Sequence, residues 1–439
     1  MKKTLLTICL VWMCFSLSAQ KIIDLSGKWS FSIDRQDNGE KEKWFSHTLN
    51  DFINLPGSMP EKLKGDEVTA KTQWTGSLYD SSYYYNPYME KYRKEGNIKF
   101  PFFLTPDKHY VGAAWYQKEV NIPADWKGER ILLFLERPHI ETTVWVNGQK
   151  TGIQNSLCVP HQYDITRYVR PGKCTITIRV DNRIKEINVG PDSHSITDQT
   201  QGNWNGIVGR ICLQTTPKTY FDDIQIYPEP EQKLARVKVV IKGTGTAKVK
   251  LSAESFNTDK KHIVPAIQQE IKLNKGVTET EMVLPMGNDM LLWDEFHPAL
   301  YKLKAEVTNG KKTEIKEIQF GMRRFEIKGK WFYVNGRKTQ LRGTVENCDF
   351  PLTGYAPMDV ESWERVFRIC RSYGLNHMRF HSFCPPEAAF IAADRVGFYL
   401  QPEGPSWPNH GPKLGLGQPI DKSLMDETIA LTKEYGNYS

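Results

Sequence analysis

The stretch GLNHMRFHSFCPPEAAFIAADRVGFYLQPEGPSW, residues 374–407, contains the alternation of elements that decides the fold of the C-terminal part of this chain. HMRFHS predicts a strand, PEAAFIAADRV predicts a helix that Pro386 opens, and FYLQP predicts a second strand. Strands that alternate with helices in this order indicate an α/β barrel or a doubly wound parallel sheet.

The same alternation continues on both sides of this stretch. Upstream, WFYVNGRKTQLRG predicts a hairpin that turns at Asn335 and Gly336 and leads into a strand ending near Glu346. A helix is expected over residues 359–373, with Gly374 as its C-terminal cap. Its apolar positions have helical spacing: Trp363, Val366, Phe367 and Cys370. Downstream, LMDETIALTKEYG predicts a third helix closed by Gly436, which gives three β/α units in all.

The N-terminal half has a different periodicity. In CTITIRVDN, residues 174–182, apolar and polar side chains alternate with the period of a half-buried strand, so Thr177 and Arg179 are expected on the exposed face. VWVNGQKTG predicts a hairpin turn at Asn147 and Gly148. Many short strands without a convincing helix predict a β-sandwich up to about residue 218.

Two further segments precede the α/β part. Residues 80–104 interrupt the strand pattern, and we expect a long insertion loop packed by its own aromatic side chains. From about residue 220 to 321, the runs ARVKVVIKG, AKVKLSAES, VTETEMVLP and YKLKAEVTN predict short strands of a second sandwich of immunoglobulin size.

Composition limits the classes of protein that fit. The chain has 439 residues with a net charge of +7, but Lys and Arg are scattered among acidic residues, which argues against a nucleic-acid partner. Residues 1–19 have the basic start, short apolar run and small final residues of a cleavable signal peptide, and no later segment is long and apolar enough to cross a membrane. We therefore expect a secreted or periplasmic protein without a membrane partner.

Cysteine and histidine give no metal pattern. Six cysteines follow residue 19, without a C-x-x-C pair, and one or two disulfides remain open because spacing cannot assign them. The histidines of the first sandwich have no ligand spacing, so we expect no metal there: His109, His139, His161 and His194.

The order of motifs along the mature chain resembles glycoside hydrolase family 2. The matching stretches are LSGKWSFSID, AAWYQKEVNIPADWKGERILLFLERPHIETTVWVNGQKTG, WNGIVGRICL and FYVNGRKTQLRGTVENCDFPLTG, together with the barrel stretch quoted first. The resemblance implies a jelly-roll sugar-binding domain at 20–219 and an immunoglobulin-like domain at 220–323. It also implies the first three β/α units of a TIM barrel at 324–439.

The resemblance also implies an activity. Family members hydrolyse a terminal β-glycosidic bond with retention, using an acid/base Glu after the fourth barrel strand and a nucleophile Glu after the seventh. With three strands predicted, we expect both catalytic carboxylates beyond the C-terminus, in a longer enzyme or an interrupted gene. We expect a glycan substrate and no cofactor.

The alternatives are a carbohydrate-binding protein without catalysis and an inactive truncated product. A three-stranded barrel segment has an unpaired edge, so residues 325–439 are expected to fold poorly alone.

Candidate substrate-binding residues lie at the predicted strand ends, where barrels build their sites. They are Glu346, Asn347, Arg379, His381, Glu403 and Trp407.

Arg379 and His381 alternate onto one side of the predicted strand, where they reach a sugar hydroxyl or form a structural charge network. Glu403 contacts substrate or caps loop amides, and Trp407 stacks on a sugar ring or packs its own loop. Asn347 and Cys348 stand where many family members show a His and a Glu, a departure from the family pattern that indicates a different sugar or a subfamily with its own pocket. A catalytic pair formed by Glu346 and Glu403 is the less favoured interpretation, because the resemblance implies that the pair lies elsewhere.

Overall fold

A computed structural model describes residues 20–76, 81–100, 105–185, 189–200, 202–350, 353–407 and 413–439. The predicted signal peptide, residues 1–19, lies outside the described residues, as do residues 80 and 101–104 of the predicted insertion. Within the described ranges, no helix combines the length and apolar character that a bilayer crossing requires.

The first part of the chain is a two-layer β-sandwich. Its strands are β1 Ile22–Asp24, β2 Gly27–Asp34, β3 Asp51–Leu55, β4 Gly57–Ser58, β5 Asp66–Glu67, β6 Lys108–His109, β7 Ala113–Ile122, β8 Arg130–His139, β9 Glu141–Val146, β10 Gln149–Gln154, β11 His161–Asp164, β12 Gly172–Asp181 and β13 Gly206–Thr216. One sheet has the order β1-β13-β8-β11 with β4 paired to β13, the other has the order β10-β9-β12-β7-β2-β3, and β5 and β6 pair separately with each other. Apolar side chains of the two large sheets, including Trp29, Tyr116, Leu133 and Ile178, form the core between them.

Strand β12 shows where the sequence pattern misleads. Ile176, Ile178 and Val180 face the core as expected, but Thr177 and Arg179, predicted on an exposed face, are buried as well. A second apolar cluster covers that face: it contains Leu49, Trp115 and Trp145, with Trp44 and Phe45 packed against them. The segment between β2 and β3 therefore acts as an outer layer over the six-stranded sheet.

The insertion packs as expected from its aromatic content. Tyr83 and Phe100 are buried and stack with ring centroids 4.6 Å apart, and Trp74 meets Phe100 edge to face. A short helix, α1 Ser82–Tyr85, lies within it. The insertion thus has a small core of its own beside the sandwich.

The second part of the chain is also a sandwich, but its strands are longer than predicted. They are β14 Tyr220–Glu229, β15 Leu234–Phe256, β16 Ile263–Pro285, β17 Leu300–Asn309 and β18 Lys312–Phe320. The two runs predicted as separate strands, ARVKVVIKG and AKVKLSAES, form the single strand β15, whose register shifts between Gly243 and Gly245. The first half of β15 pairs with β14 and the second half with β17, so one long strand contributes to both layers around a shared core.

The last part follows the predicted alternation. A hairpin sheet is formed by β19 Phe325–Lys328, β20 Trp331–Val334 and β21 Arg337–Thr339. A parallel sheet then follows in the order β22 Gly343–Glu346, β23 His377–Phe380 and β24 Tyr399–Gln401. The helices are α2 Val360–Ser372, α3 Glu387–Val396 and α4 Pro419–Tyr435. Asp359 caps α2 by accepting from Ser362 N at 2.8 Å, and Gly374, with φ +80°, ends it as expected. Helix α4 starts about one turn earlier than predicted.

Residues 325–439 have a core and are bound to both sandwiches. Trp363, Phe367, Phe380 and Phe398 pack between the helices and the parallel sheet. Trp293 Nε1, from the second sandwich, donates to the carbonyl of Asp394 at 2.8 Å. Apolar surface nevertheless remains exposed on this part: Val345, Ile369, Met425 and Ile429 are between 47% and 63% accessible.

Candidate functional site

The carboxyl ends of β22, β23 and β24 meet at one edge because the three strands are parallel. The backbone N–H of His381, just after β23, donates to the carbonyl of Glu346, the last residue of β22, at 2.9 Å. Glu403 follows β24 by two residues. This edge therefore brings the residues at the ends of β23 and β24 together beside the end of β22, in a small region that we call the strand-end site.

Glu403 lies at the centre of the strand-end site and contacts several of its polar groups. Its Oε1 accepts from Arg379 Nε at 2.5 Å, and its Oε2 accepts from the backbone N–H of Ser382 at 2.8 Å. His381 Nδ1 lies 3.7 Å from the same Oε2. Burial acts to raise the pKa of Glu403, but the bonds from Arg379 and Ser382 outweigh it and leave the pKa below its usual value. Glu403 is thus an anion at neutral pH.

Aromatic rings form a wall beside this carboxylate. The ring of Trp407 lies 5.1 Å from that of His381 and 5.3 Å from that of His194. The two imidazole rings are 4.3 Å apart. Three flat side chains from two parts of the chain therefore converge next to Glu403.

His194 was not predicted to belong to this site. It comes from the first sandwich, in the loop between β12 and β13, and is 9% exposed. Its backbone N–H donates to Ser382 Oγ at 2.9 Å. Nothing in its spacing indicated the contact, because a loop of one domain reaches a strand end of another. Its only sequence signal is its setting, PDSHS, a polar loop between two strands.

The loop around His194 is fixed to the strand-end site by hydrogen bonds. Ser193 Oγ donates to the carbonyl of Pro405 at 2.6 Å, and Ser195 Oγ donates to the carbonyl of Ser382 at 2.6 Å. The backbone N–H of Trp407 donates to the carbonyl of Val189 at 3.1 Å. The loop thus binds both the residues after β23 and those after β24.

Both imidazoles of the site are neutral at pH 7. Burial lowers the pKa of His194 to about 4, and the repulsion that a protonated His381 would exert acts in the same direction. Burial and the charge of Arg379 also lower the pKa of His381. Neither Nδ1 atom has a hydrogen-bond partner among the described residues. A neutral imidazole nitrogen can accept from or donate to a hydroxyl group, depending on its tautomer.

Glu346 and Asn347 lie at the neighbouring strand end and do not join the cluster. Burial raises the pKa of Glu346, and its Oε1 accepts from the backbone N–H of Asp349 at 3.2 Å. Asn347 is half-buried. In the ranges that the structure covers, neither the Glu346 nor the Asn347 side chain forms a hydrogen bond or ion pair with Arg379, His381, Glu403 or Trp407. The structure therefore brings together Arg379, His381, Glu403 and Trp407, and adds His194.

A separate cleft of about 1150 Å³ opens between the insertion, the first sandwich and the loop after β22. Trp204, Glu61 and Phe350 line it, and His109 Nε2 pairs with Asp198 Oδ2 at 3.1 Å on its wall. None of the six predicted substrate residues lines this cleft. Among the described side chains, no group of three or more His, Cys, Asp or Glu is arranged to hold a metal ion.

Residues 22–217 match the family model described as the sugar-binding domain of glycosyl hydrolases family 2. Residues 219–323 match a second model of glycosyl hydrolases family 2. Together these matches cover both sandwiches.

The curated proteins that this chain resembles carry the names of glycosidases. A beta-galactosidase of Thermoanaerobacter pseudethanolicus is 24% identical over 72% of this chain and 42% of its own length. A putative beta-glucuronidase of Formosa agariphila is 27% identical over 74% of this chain and 39% of its own length. Human beta-glucuronidase is 23% identical over 87% of this chain and 57% of its own length. The chain thus spans about half the length of these relatives.

Solved structures share the fold. A glycosyl hydrolase family 2 member from Bacteroides cellulosilyticus superposes with a TM-score of 0.67 at 19% identity, over 95% of this chain and 51% of that one. A beta-glucuronidase from Ruminococcus gnavus gives 0.68 at 19% identity, over 95% and 66%.

Proposed function

The chain belongs to glycosyl hydrolase family 2. We propose that it functions as part of an exo-acting β-glycosidase, which removes terminal sugars from glycans with retention of configuration. In this proposal β22–β24 and α2–α4 are the first three β/α units of a TIM barrel. The strand-end site binds the terminal sugar.

The observation that carries this proposal is the convergence of Trp407, His381 and His194 beside the Arg379–Glu403 pair. It occurs at the carboxyl ends of parallel strands, where α/β barrels build their active sites. An aromatic face packs against the apolar face of a sugar ring, and polar side chains beside it orient the hydroxyl groups. Both kinds of group are present here, and Arg379 and Glu403 are partly exposed.

Each residue has a defined part in sugar binding. Glu403 accepts a hydrogen bond from a sugar hydroxyl while Arg379 holds its orientation, since one of its oxygens is already bound to Arg379 Nε. His381 and His194 contribute neutral nitrogens, and Trp407 supplies the stacking face. A loop of the first sandwich therefore completes a site built mainly by the barrel strands.

Catalysis by two carboxylates requires one that protonates the leaving oxygen and one that attacks the anomeric carbon. Glu403 does not suit the acid role, because Arg379 and the Ser382 amide favour its charged form. We assign the acid/base and nucleophile to carboxylates other than the described ones. We further propose that residues 1–19 direct export, which would bring the protein to glycans outside the cytoplasm.

Turnover assays test this assignment. Residues 20–439, with the 4-nitrophenyl β-glycosides of glucuronic acid and galactose, are expected to show no hydrolysis above a buffer control. Hydrolysis that survives purification and is lost in Glu403→Gln would contradict the assignment and make Glu403 a catalytic residue. Hydrolysis lost instead in Glu346→Gln would place catalysis at the end of β22.

A further inference from the structure

Two thiols meet where the first sandwich packs against the α/β part. Cys158 lies between β10 and β11, and Cys384 lies in the loop between β23 and α3. They belong to one apolar cluster with Phe390 and Tyr435, in which Cys158 is 0% and Cys384 5% exposed. Two residues distant in sequence are thus buried together inside an interface.

Hydrogen bonds hold the two backbone segments side by side. Arg137 Nη1 donates to the carbonyl of Leu157 at 2.6 Å and to that of Cys384 at 3.3 Å. Tyr435 Oη, from α4, donates to the carbonyl of Cys158 at 3.2 Å. One guanidinium nitrogen therefore bridges the residue before Cys158 and Cys384 itself, and it holds the two cysteine-bearing segments next to each other.

The thiols also influence each other. The Cys384 thiol is the largest cause of the raised pKa of the Cys158 thiol, ahead of burial. In the reduced protein, Cys384 Sγ donates a weak bond to the carbonyl of Pro385 at 3.5 Å. The other two buried cysteines differ, because Cys174 lies in the core of the first sandwich and Cys348 in the core of the α/β part.

We propose that Cys158 and Cys384 form a disulfide bond that joins the first sandwich to the loop after β23. The proposal rests on the export proposed above and not on the glycosidase assignment. An external disulfide of the kind carried by thiol–disulfide oxidoreductases is the oxidant. Each cysteine loses one proton and one electron, the Sγ–Sγ bond forms, and the oxidant's S–S bond breaks to give two thiols.

The bond forms while the interface closes. Once buried, a protonated thiol is a poor nucleophile and is shielded from an external disulfide. The bridge is therefore structural rather than a reversible switch of the folded protein.

The disulfide between Cys158 and Cys384 stabilises the loop after β23, which forms one part of the strand-end site. Cys384 is two residues after Ser382, whose backbone N–H binds Glu403 and whose Oγ accepts from the backbone N–H of His194. A covalent link at Cys384 fixes this loop to the sandwich that supplies His194. It thereby holds the two halves of the site together.

Peptide mapping tests the proposal directly. The full chain is purified after secretion into an oxidising compartment, alkylated without reduction and digested with trypsin. Cys158 lies in peptide 151–167 and Cys384 in peptide 380–395, and each of these contains one cysteine. We expect the two peptides joined at the sum of their masses, and separated by prior reduction. Both cysteines recovered in alkylated form, or either joined to another cysteine, would overturn the proposal.

Substitutions provide a second readout. Cys158→Ser and Cys384→Ser should each lower the apparent unfolding temperature by about 5 °C without reductant, and the double variant should lower it no further. With reductant, wild type should lose most of this advantage. Cys174→Ser, a buried cysteine outside the cluster, should give the same loss with and without reductant. A redox-independent loss in the Cys158 and Cys384 variants would contradict the bridge.

Discussion

At the level of single residues, the strand-end site combines side chains that sequence reasoning found with one that it missed. Arg379, His381, Glu403 and Trp407 were predicted because each lies near the carboxyl end of a predicted strand or in the loop that follows it, and the structure places them in contact. Their role in binding sugar stays a prediction. His194 could not be predicted, because its neighbours are set by how two domains pack rather than by local spacing.

His194 predicts a pH dependence of stability. Its folded pKa of about 4 lies below the unfolded value of about 6.5, so the unfolded chain binds the proton first as pH falls. Its contribution is present above pH 6.5 and is lost progressively towards pH 4, by at most about 3 kcal/mol. His381, Arg379 and Glu403 face the same ring, and all three are present in both wild type and the His194→Gln variant, so the comparison isolates His194.

Urea unfolding at pH 7 and pH 5 measures this effect. We expect the loss of stability between these two values to be smaller in His194→Gln than in wild type. His297→Gln, at an exposed position, serves as the control and should match wild type. An equal loss in wild type and His194→Gln would show that His194 does not stay neutral in the fold.

At the level of elements, turn positions were predicted better than strand lengths and strand environments. The hairpins at Asn147 and Asn335 form as their turn residues indicate, and both residues adopt positive φ. The sequence pattern predicts two strands, ARVKVVIKG and AKVKLSAES, where the structure has the single strand β15, and the glycines at 243 and 245 mark a register shift within it. In β12, alternation predicted an exposed face because it cannot show what covers a sheet.

Arg179 on β12 gives an element-level prediction. It is 7% exposed, and its Nη2 donates to Asp37 at 2.6 Å and to Asp181 at 3.0 Å. Arg179→Met should destabilise the first sandwich by about 3 kcal/mol, because it removes one partner of a buried ion pair. Arg183→Met, a more exposed partner of the same acids, should cost about 1 kcal/mol or less. Chemical denaturation compares them, and equal costs would contradict the account of β12 as buried on both faces.

At the level of the whole molecule, the fold class was accessible from sequence because each part has its own period. Period-two alternation indicated two sandwiches, and the strand–helix alternation indicated the parallel sheet. The way in which the two sandwiches and the α/β part pack against one another could not be predicted from the sequence. Arg137 illustrates this, since it lies on a strand of the first sandwich yet donates to the carbonyls of Cys384 and Pro385.

Limited proteolysis tests how the parts depend on one another. In the described structure, β22 and β24 each pair only with β23. Ile369 and Ile429 also remain exposed. We therefore expect trypsin to cleave residues 325–439 of the 20–439 chain before residues 20–322, which should accumulate as a folded product. Equal protection of both parts would show that docking onto the sandwiches is sufficient to stabilise the α/β part.

The most direct test of the central claim is a crystal structure of residues 20–439 with a methyl β-glycoside. We predict the sugar ring on the face of Trp407, with hydroxyl groups bound to Glu403 and His381. Trp407→Ala should weaken binding in solution about tenfold, whereas Trp331→Ala should not change it. A sugar bound only in the cleft lined by Trp204, with the strand-end site empty, would contradict the account.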